Sequence, residues 1–570
     1  MTPKAILTLT ALILGTAFFV GAPPAGATKF EPDDPMMKEP ASQDASKVEE
    51  WEVELIIDLT ANSFARLGDK RPEVRAQDIN TIDEVPDSDW FTNRILAKPM
   101  TIDEVAQGPL VSGPPDTTKW IVTHPKKEGT APGFTARDGK GDLWFISFDA
   151  KGHPEAATGA VLVANKIFHA LGYFQVENYL VSIRREKIEI SDDAKVTPKS
   201  GKERRMKMSD LDSVWRRAER SPDGSYRAIA GKAIHGKVLG GFTYSGTRPD
   251  DPNDVIPHEH RRSLRALKVF GAWTNLVDVK AGNTLDALQE VDGKKVVRHY
   301  LQDVGSTFGT GAGGPHGYDE GWEYLYEGDK LVKRLVSLGL YTRTWETVDY
   351  EQNEAIGRFE GKEFDPKEWK PRVRSGAFLS ARADDNFWAA RRVAAFSDDM
   401  IRAMAGSGHY SNPSDTKLLA DVLIQRRDKI ARAYLIPINP LIDFKLENNT
   451  LAFENAAVQA HVAEEPKGGY SATWFAFDNA TGVASQIGAP QTIGTRSQMP
   501  AGLPDQVGDF VKIQVAALDG PHEAWKKPVD VYFQRIETGW KLVGLERLQG
   551  APTASEPTPA GASSSASAAR

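Results

Sequence analysis

Two rhythms of apolar residues alternate along this chain, and their order divides it. "GFTARDGKGDLWFISFDA" (133–150) reads as strand residues on either side of "RDGKGD", where Asp138-Gly139 and Gly141 supply the positive φ of a tight turn; the pattern predicts a hairpin. "TGAVLVANKIFHALGY" (158–173) then repeats Val161, Ala164, Ile167 or Phe168 and Leu171 at helical spacing, and Gly172 stops it. "FQVENYLVSIRREKIEI" returns to strands, so this part of the chain is a sheet with one helix.

Helix dominates beyond it. "HEHRRSLRALKVFGAWTNLV" (258–277) carries Leu264, Leu267 and Phe270 on one stripe and Ala266, Val269, Trp273 and Leu276 on another, which predicts a helix buried on most sides. "NFWAARRVAAFSDDMIRAMA" repeats Ala389, Val393, Phe396 and Met400, and "DTKLLADVLIQRRDKIARAYL" repeats Leu419, Val422, Leu423, Ile430 and Tyr434. Residues 438–549 alternate with period two between turns, the pattern of a small all-β, sandwich-like domain. The fold class read from this order is α+β: an N-terminal segment and β-rich N-lobe over 51–257, a helical C-lobe over 258–437, and the β domain over 438–549.

The ends are different in kind. Residues 1–27 hold one early cation, Lys4, an apolar run from Ala5 to Val20 and then Ala25-Gly26-Ala27, which predicts a signal peptide and an exported, periplasmic or extracellular protein. Residues 28–50 are Pro-rich and charged and predict a flexible leader, while 550–570 are low-complexity and predict a disordered tail. No later segment is apolar enough to span a membrane. The 570 residues include no cysteine, which excludes disulfides, thiolate zinc sites and cysteine nucleophiles. A formal charge of −8 gives no reason to expect nucleic acid as a partner.

Chemistry concentrates where the buried helix ends. "NLVDVKAGNTLDAL" (275–288) places Asp278, Lys280 and Asn283 in one loop. "EVDGKKVVRHYLQD" follows, with Asp292-Gly293 as a two-residue hairpin signal, and its second strand delivers Asp303 into "DVGSTFG". Helix, D-x-x-x-x-N loop, hairpin and Asp-x-Gly is the order in which kinase-fold enzymes assemble their catalytic centre. Phosphoryl transfer needs a carboxylate to orient the attacking hydroxyl, a role that suits Asp278. It also needs hard oxygen ligands to hold Mg2+ or Mn2+ against the phosphates of ATP, and Asn283 and Asp303 suit that. Lys280 is placed to neutralise charge on the transferring group.

The stretch resembles the catalytic segment of atypical kinases, a group that includes HipA-type toxins, spore-coat CotH kinases and phosphoinositide lipid kinases. "NTIDEVPDSDWFTNRI", "PGFTARDGKGDLWFISFD", "NKIFHALGY", "RPDDPNDVIPHEHRRSLRALKVFGAW" and "DVKAGNTLDAL" are similar to a family of exported bacterial proteins of unassigned function, over about residues 51–436. The resemblance implies a two-lobed kinase-like fold, a nucleotide partner and a protein or small-molecule acceptor. It would place the nucleotide against the first hairpin, at Gly139, Gly141, Ser147 and Lys151. Kinases present a lysine there and pair it with a glutamate from the next helix. Here Ser147 stands where the lysine would sit and Val161 where the glutamate would; Lys151, Glu155 or Lys166 are the candidate substitutes. The His-Arg that precedes the Asp in protein kinases is also missing. Two readings therefore stand: an atypical kinase-like phosphotransferase, or a pseudokinase-type binding or cell-envelope interaction protein without catalysis.

Other constellations read as structural. "GTGAGG" (309–314) meets Pro315 rather than a helix, which excludes a dinucleotide loop and leaves a flexible one. His258 and His260 are two positions apart and do not share a helix face, and Arg248, Asp250, Asp251 and Asp254 read as a turn scaffold rather than a calcium loop. Arg426 and Arg427 are expected to pair with nearby acids, and neither G-x-S-x-G nor H-E-x-x-H occurs.

Overall fold

Few apolar residues punctuate the charged stretch 28–50, and Phe30, Ala45 and Val48 among them are buried against distant parts of the chain. The structure is a computed structural model describing residues 28–548 except 41, 72, 127–129, 199–200, 339 and 352; the side chains of 329 and 331 are also left out. The signal peptide and the tail lie outside the described residues. Phe30 is 5% exposed, clustered with Phe477, Tyr532 and Val543 of the β domain. The Lys29 N–H donates to the Asn479 carbonyl at 2.9 Å. Ala45 and Val48 pack with Leu239 and Val297. The expectation of a flexible leader is corrected here: composition described the average of the segment, whereas a few buried anchors decide its placement.

Helix α1 (Leu55–Phe64) and helix α2 (Ile102–Gln107) flank an extended strap. A six-stranded sheet follows, built from β1 (Trp120–Pro125), β2 (Gly133–Arg137), β3 (Leu143–Phe148), β4 (Asn178–Ile183), β5 (Ile188–Ile190) and β8 (Tyr226–Lys232). Its order is β4-β8-β3-β2-β1-β5. Alternation explains the strands: Trp120 and Val122, then Trp144, Ile146 and Phe148, turn to a shared apolar cluster. Helix α3 (Ala156–Leu171) connects β3 to β4. The β5–β8 connection carries β6 (Lys195–Val196), β7 (Arg204–Arg205) and α4 (Asp212–Arg217).

β9 (Lys237–Gly240) leads into the helical part. There the single helix expected over 258–277 is three pieces: a 3-10 turn at His258–His260, α5 (Arg262–Arg265) and α6 (Leu267–Thr274). The cause is the charge of its first half. His258 bonds Asp254 at 2.8 Å, Arg261 bonds Asp254, and Arg262 meets Asp83, Asp384 and Asp385, all with little or no exposure. Asp254 of "TRPDDPNDV" therefore serves an internal ion network, in which Arg248 also pairs with Asp286 at 3.1 Å. β10 (Thr284–Val291) and β11 (Lys294–Leu301) form the predicted hairpin, with Asp292 at φ 51° and Gly293 at φ 76°. Together with β9 they make a sheet in the order β11-β10-β9.

The "GTGAGG" stretch is a small hairpin, β12 (Thr310–Gly311) with β13 (Gly314–Pro315), rather than an open loop. Then come α7 (Gly328–Val336), α8 (Gly376–Leu379), α9 (Ala383–Ala394), α10 (Asp398–Gly406) and α11 (Pro413–Leu435). Arg427 pairs with Asp398 as expected, whereas buried Arg426 donates to the Glu360 and Ala272 carbonyls.

The last part comprises β14 (Leu441–Glu447), β15 (Thr450–Asn455), α12 (Ala456–Gln459), β16 (Tyr470–Phe477), β17 (Ala484–Ile493), β18 (Arg496–Gln498), β19 (Phe510–Ala517), β20 (Val529–Ile536) and β21 (Gly539–Glu546). Two sheets result, β14-β15-β18 and β17-β16-β19-β20-β21. One core runs on from Leu423 and Leu435 of α11 through Ile438 to Trp474 and Val511. The Pro-containing join is held inside it: Asn439 donates to Val515, Trp525 and Lys527 carbonyls, and Trp525 Nε1 to the Ile436 carbonyl. Among the described residues no helix is long and apolar enough to cross a membrane.

Candidate functional site

Helix α6 stops because Asn275 turns to the left-handed region, φ 56°, where its side chain accepts the indole N–H of Trp369 at 2.9 Å. The chain then runs out to Asp278, whose carboxylate meets Lys280 Nζ at 2.8 Å. Asn283 Nδ2 donates to the Asp278 carbonyl at 2.6 Å, which leaves Asn283 Oδ1 as an acceptor. The Asn283 carbonyl in turn takes the N–H groups of Gln302 at 3.0 Å and Asp303 at 3.1 Å. Two loops separated by a whole hairpin are thus stitched together, with Asn283 beside Asp303.

Asp303 is exposed, and one of its oxygens accepts the Gly305 N–H at 2.9 Å. Gly305 is required by crowding: a Cβ there would lie 2.7 Å from Val161 Cγ2 and 3.2 Å from Asp303 Oδ1. Helix α3 therefore touches the Asp303 loop through Val161. The sheet completes the enclosure. Ser147 on β3 is half-buried, and Lys126, at the end of β1, places Nζ 3.3 Å from its Oγ. Lys126 is open to solvent along its surface yet surrounded by enough protein that desolvation lowers its pKa, opposed by the charge of Asp303 and assisted by Arg217.

Asp278, Lys280, Asn283, Asp303 and Ser147 are therefore brought into one region, and Lys126 joins them. Gly139 and Gly141 are not. They sit in the β2–β3 turn, where Arg137 pairs with Leu143, while Ser147 pairs with Gly133 at the opposite end of the hairpin. Four strand steps separate those ends, about 13 Å. The turn has a structural role: the Asp138 carboxylate accepts from the Lys140 and Asp142 N–H groups. Lys151 is exposed beyond β3, its N–H donating to the Arg217 carbonyl at 2.8 Å. Glu155 accepts from Ser411 at 2.8 Å, tying α3 to the helical part. Lys166 is 7% exposed rather than a surface residue, and five positions from Val161 place it about 140° around the helix.

Sequence reading missed half-buried Ser306 and buried His316, with Ser306 Oγ 2.9 Å from His316 Nε2. Burial, aided by Arg372 and Arg358 and opposed by Asp278, takes the imidazole down to about 3, so it is neutral. It also missed Lys126; the alternation of Trp120 and Val122 before "HPK" was the available signal for the strand that presents it.

Among the described residues no group of three or more His, Cys, Asp or Glu side chains is arranged to hold a metal. The donors here are one carboxylate and one amide oxygen, a hard pair that fits Mg2+ or Mn2+ when phosphate and water complete the shell. A cavity of about 500 Å³ lies elsewhere, lined by Asn93, Arg94, Lys98, Gln107 and His169, and shares no residue with this cleft.

No protein-family model and no curated protein matches the sequence. The exported bacterial family suggested by the motifs has no counterpart in that result. Among solved structures, similarity is found to the Helicobacter pylori proinflammatory kinase CtkA, 10% identical, covering 55% of this chain and 93% of that one at a TM-score of 0.28. It is also found to the Golgi casein kinase with Mn/ADP bound, 9% identical, covering 70% and 96% at a TM-score of 0.27. At such TM-scores the functional reading rests on this chain's own cleft.

Proposed function

We propose that this chain is an exported kinase-like phosphotransferase acting with a nucleotide and a divalent metal. One observation carries the reading: the Asp278–Asn283 loop and the Asp303–Gly305 loop are hydrogen-bonded together and face Ser147 and Lys126 at one end of a sheet, with α3 against the Asp303 loop. Strand order supports it, since a three-strand meander, a helix and three further strands of the same sheet precede a helix-loop-hairpin-Asp unit.

In this reading Asp278 orients the acceptor hydroxyl and takes its proton, with Lys280, 2.8 Å away, holding the carboxylate in place. Asn283 and Asp303 hold the metal, which when bound would neutralise phosphate charge. Ser306 and neutral His316 support the loop beneath, where the Val277 N–H donates to the Ser306 carbonyl at 3.2 Å. The signal peptide expected over residues 1–27 supports an activity outside the cytoplasm.

Ligand at about a hundredfold its dissociation constant stabilises a fold by about 2.7 kcal/mol, enough to raise the melting temperature visibly. The expected result is a rise with ATP and Mg2+ or Mn2+ together and with neither alone. Asp303→Ala abolishes that rise; Asp278→Ala keeps it and loses transfer. Equal rises in wild type and Asp303→Ala would refute the metal assignment. The apolar Val161 in the glutamate's place supports the second reading, a pseudokinase-type binding or cell-envelope protein; nucleotide binding without transfer to any acceptor, or no binding at all, would favour it.

A further inference from the structure

A cleft that binds phosphates needs a fixed cation on its sheet side, and β3 offers only the short hydroxyl of Ser147. We infer that Lys126 supplies this cation from the end of β1, and is the residue that contacts the nucleotide phosphates. The inference rests on the kinase-like reading of the cleft and adds a residue to it.

The path of the side chain is built into the strands. β1 pairs with β2 through His124–Thr135 and Pro125–Phe134, so Lys126 emerges beside Gly133. Gly133 is opposite Ser147 in the β2–β3 register. A Cβ on Gly133 would stand 3.4 Å from Lys126 Cδ and would collide with the Ile146 carbonyl. Glycine at 133 is required by the Ile146 carbonyl, and the lysine stem runs alongside it to reach Ser147 on β3. Its ammonium arrives 3.3 Å from Ser147 Oγ, so serine serves as the acceptor on which Lys126 rests.

That contact uses one of three N–H donors. Among the described residues no carboxylate lies within salt-bridge distance of Lys126 Nζ, and Asp303 acts on it only at longer range. A cation left with donors to spare, in a cleft whose nearest acid is the metal ligand, is suited to phosphate oxygens brought between the two. The arrangement also accounts for Val161. A lysine held by Ser147 from a loop needs no acid on α3, and an apolar residue there packs against Gly305 instead.

Affinity of the mature full-length chain for ATP and for adenosine, both with Mn2+, tests this by calorimetry. Lys126→Ala should weaken ATP binding about ten- to hundredfold, the scale of a lost charge-assisted hydrogen bond, and leave adenosine unchanged. Adding Ser147→Lys to Lys126→Ala, which moves the cation to the strand, should restore ATP affinity. Circular dichroism melts should superimpose, because Lys126 is exposed. Unchanged ATP affinity in Lys126→Ala, with Asp303→Ala losing it, would overturn the inference alone. Equal ATP affinity in wild type and Asp303→Ala would overturn the cleft reading and the inference with it. Failure of Ser147→Lys to restore ATP while adenosine still binds would overturn the equivalence of the two positions.

Discussion

Glu84→Gln should cost stability that depends on pH in a specified way. Glu84 lies on the strap before the sheet and reaches into helix α9: Oε1 accepts from Arg391 at 2.6 Å, and Oε2 from Trp388 Nε1 at 2.8 Å and Arg392 at 3.2 Å. Its side chain keeps 21% exposure at one edge, while the carboxylate itself is enclosed by those three groups. Burial alone would raise its pKa, but Arg391 and then Arg392 outweigh it and hold the group at about 2, against an ordinary 4.5. A displacement of that size corresponds to about 3 kcal/mol of folding free energy. The folded value is the lower one, so the unfolded chain binds the proton first as pH falls. The contribution is complete above about pH 5 and is lost as pH drops from 4.5 toward 2. Urea unfolding of wild type and Glu84→Gln at several pH values between 7 and 3 measures it. The gap should be about 3 kcal/mol at neutral pH and close progressively on acidification, because a protonated Glu and a Gln present similar groups to the two guanidiniums. Other carboxylates titrate in both proteins and cancel. A gap that stays constant across the series would refute the electrostatic account and leave only a packing defect.

Phe30→Ala should destabilise the protein by about 3–5 kcal/mol, since the ring is enclosed by Phe477 and Tyr532 and a Cβ on Gly544 would approach it to 2.5 Å. An unchanged urea midpoint would return 28–50 to the status of a loose leader. N-terminal sequencing of exported protein should begin at Thr28; a sequence still carrying Lys4 would show that cleavage after Ala27 does not occur.

Local signals were legible where one residue type forces one backbone geometry. Asp292-Gly293 announced the β10–β11 hairpin, and the helical spacing before Gly172 located α3. The juxtaposition of Asn283 and Asp303 was readable because it follows from that hairpin: joining its strands brings its two ends together. What failed was anything set by distant partners. The glycines of "RDGKGD" matched a phosphate-loop expectation by composition, but register put them at the far end of the sheet from Ser147. Lys126 was overlooked because its relevance comes from the β1–β2–β3 register that carries it to Ser147, 21 positions later. The break in 258–277 was hidden because stripe counting ignores charge, and there buried arginines and histidines, each answering an acid elsewhere, set the path. The β domain read as separate since alternation identifies strands but is silent on which core they share.

The lodging of Phe30 among strands of the final domain has a kinetic side. The Phe30 N–H donates to the Asn479 side chain at 2.9 Å, a contact spanning 449 positions. At about 5–20 residues per second, Phe30 of a growing chain waits tens of seconds for its partners to be made. Such a molecule cannot close from one end to the other. Its sheet and helical core can form as they appear, but Phe30 and the last strands meet late, in a step with high contact order that follows completion of β20 and β21. A shortened chain ending before Val529 would strip Tyr532 and Val543 from around Phe30, and the partly uncovered ring would mark the molecule as unfinished.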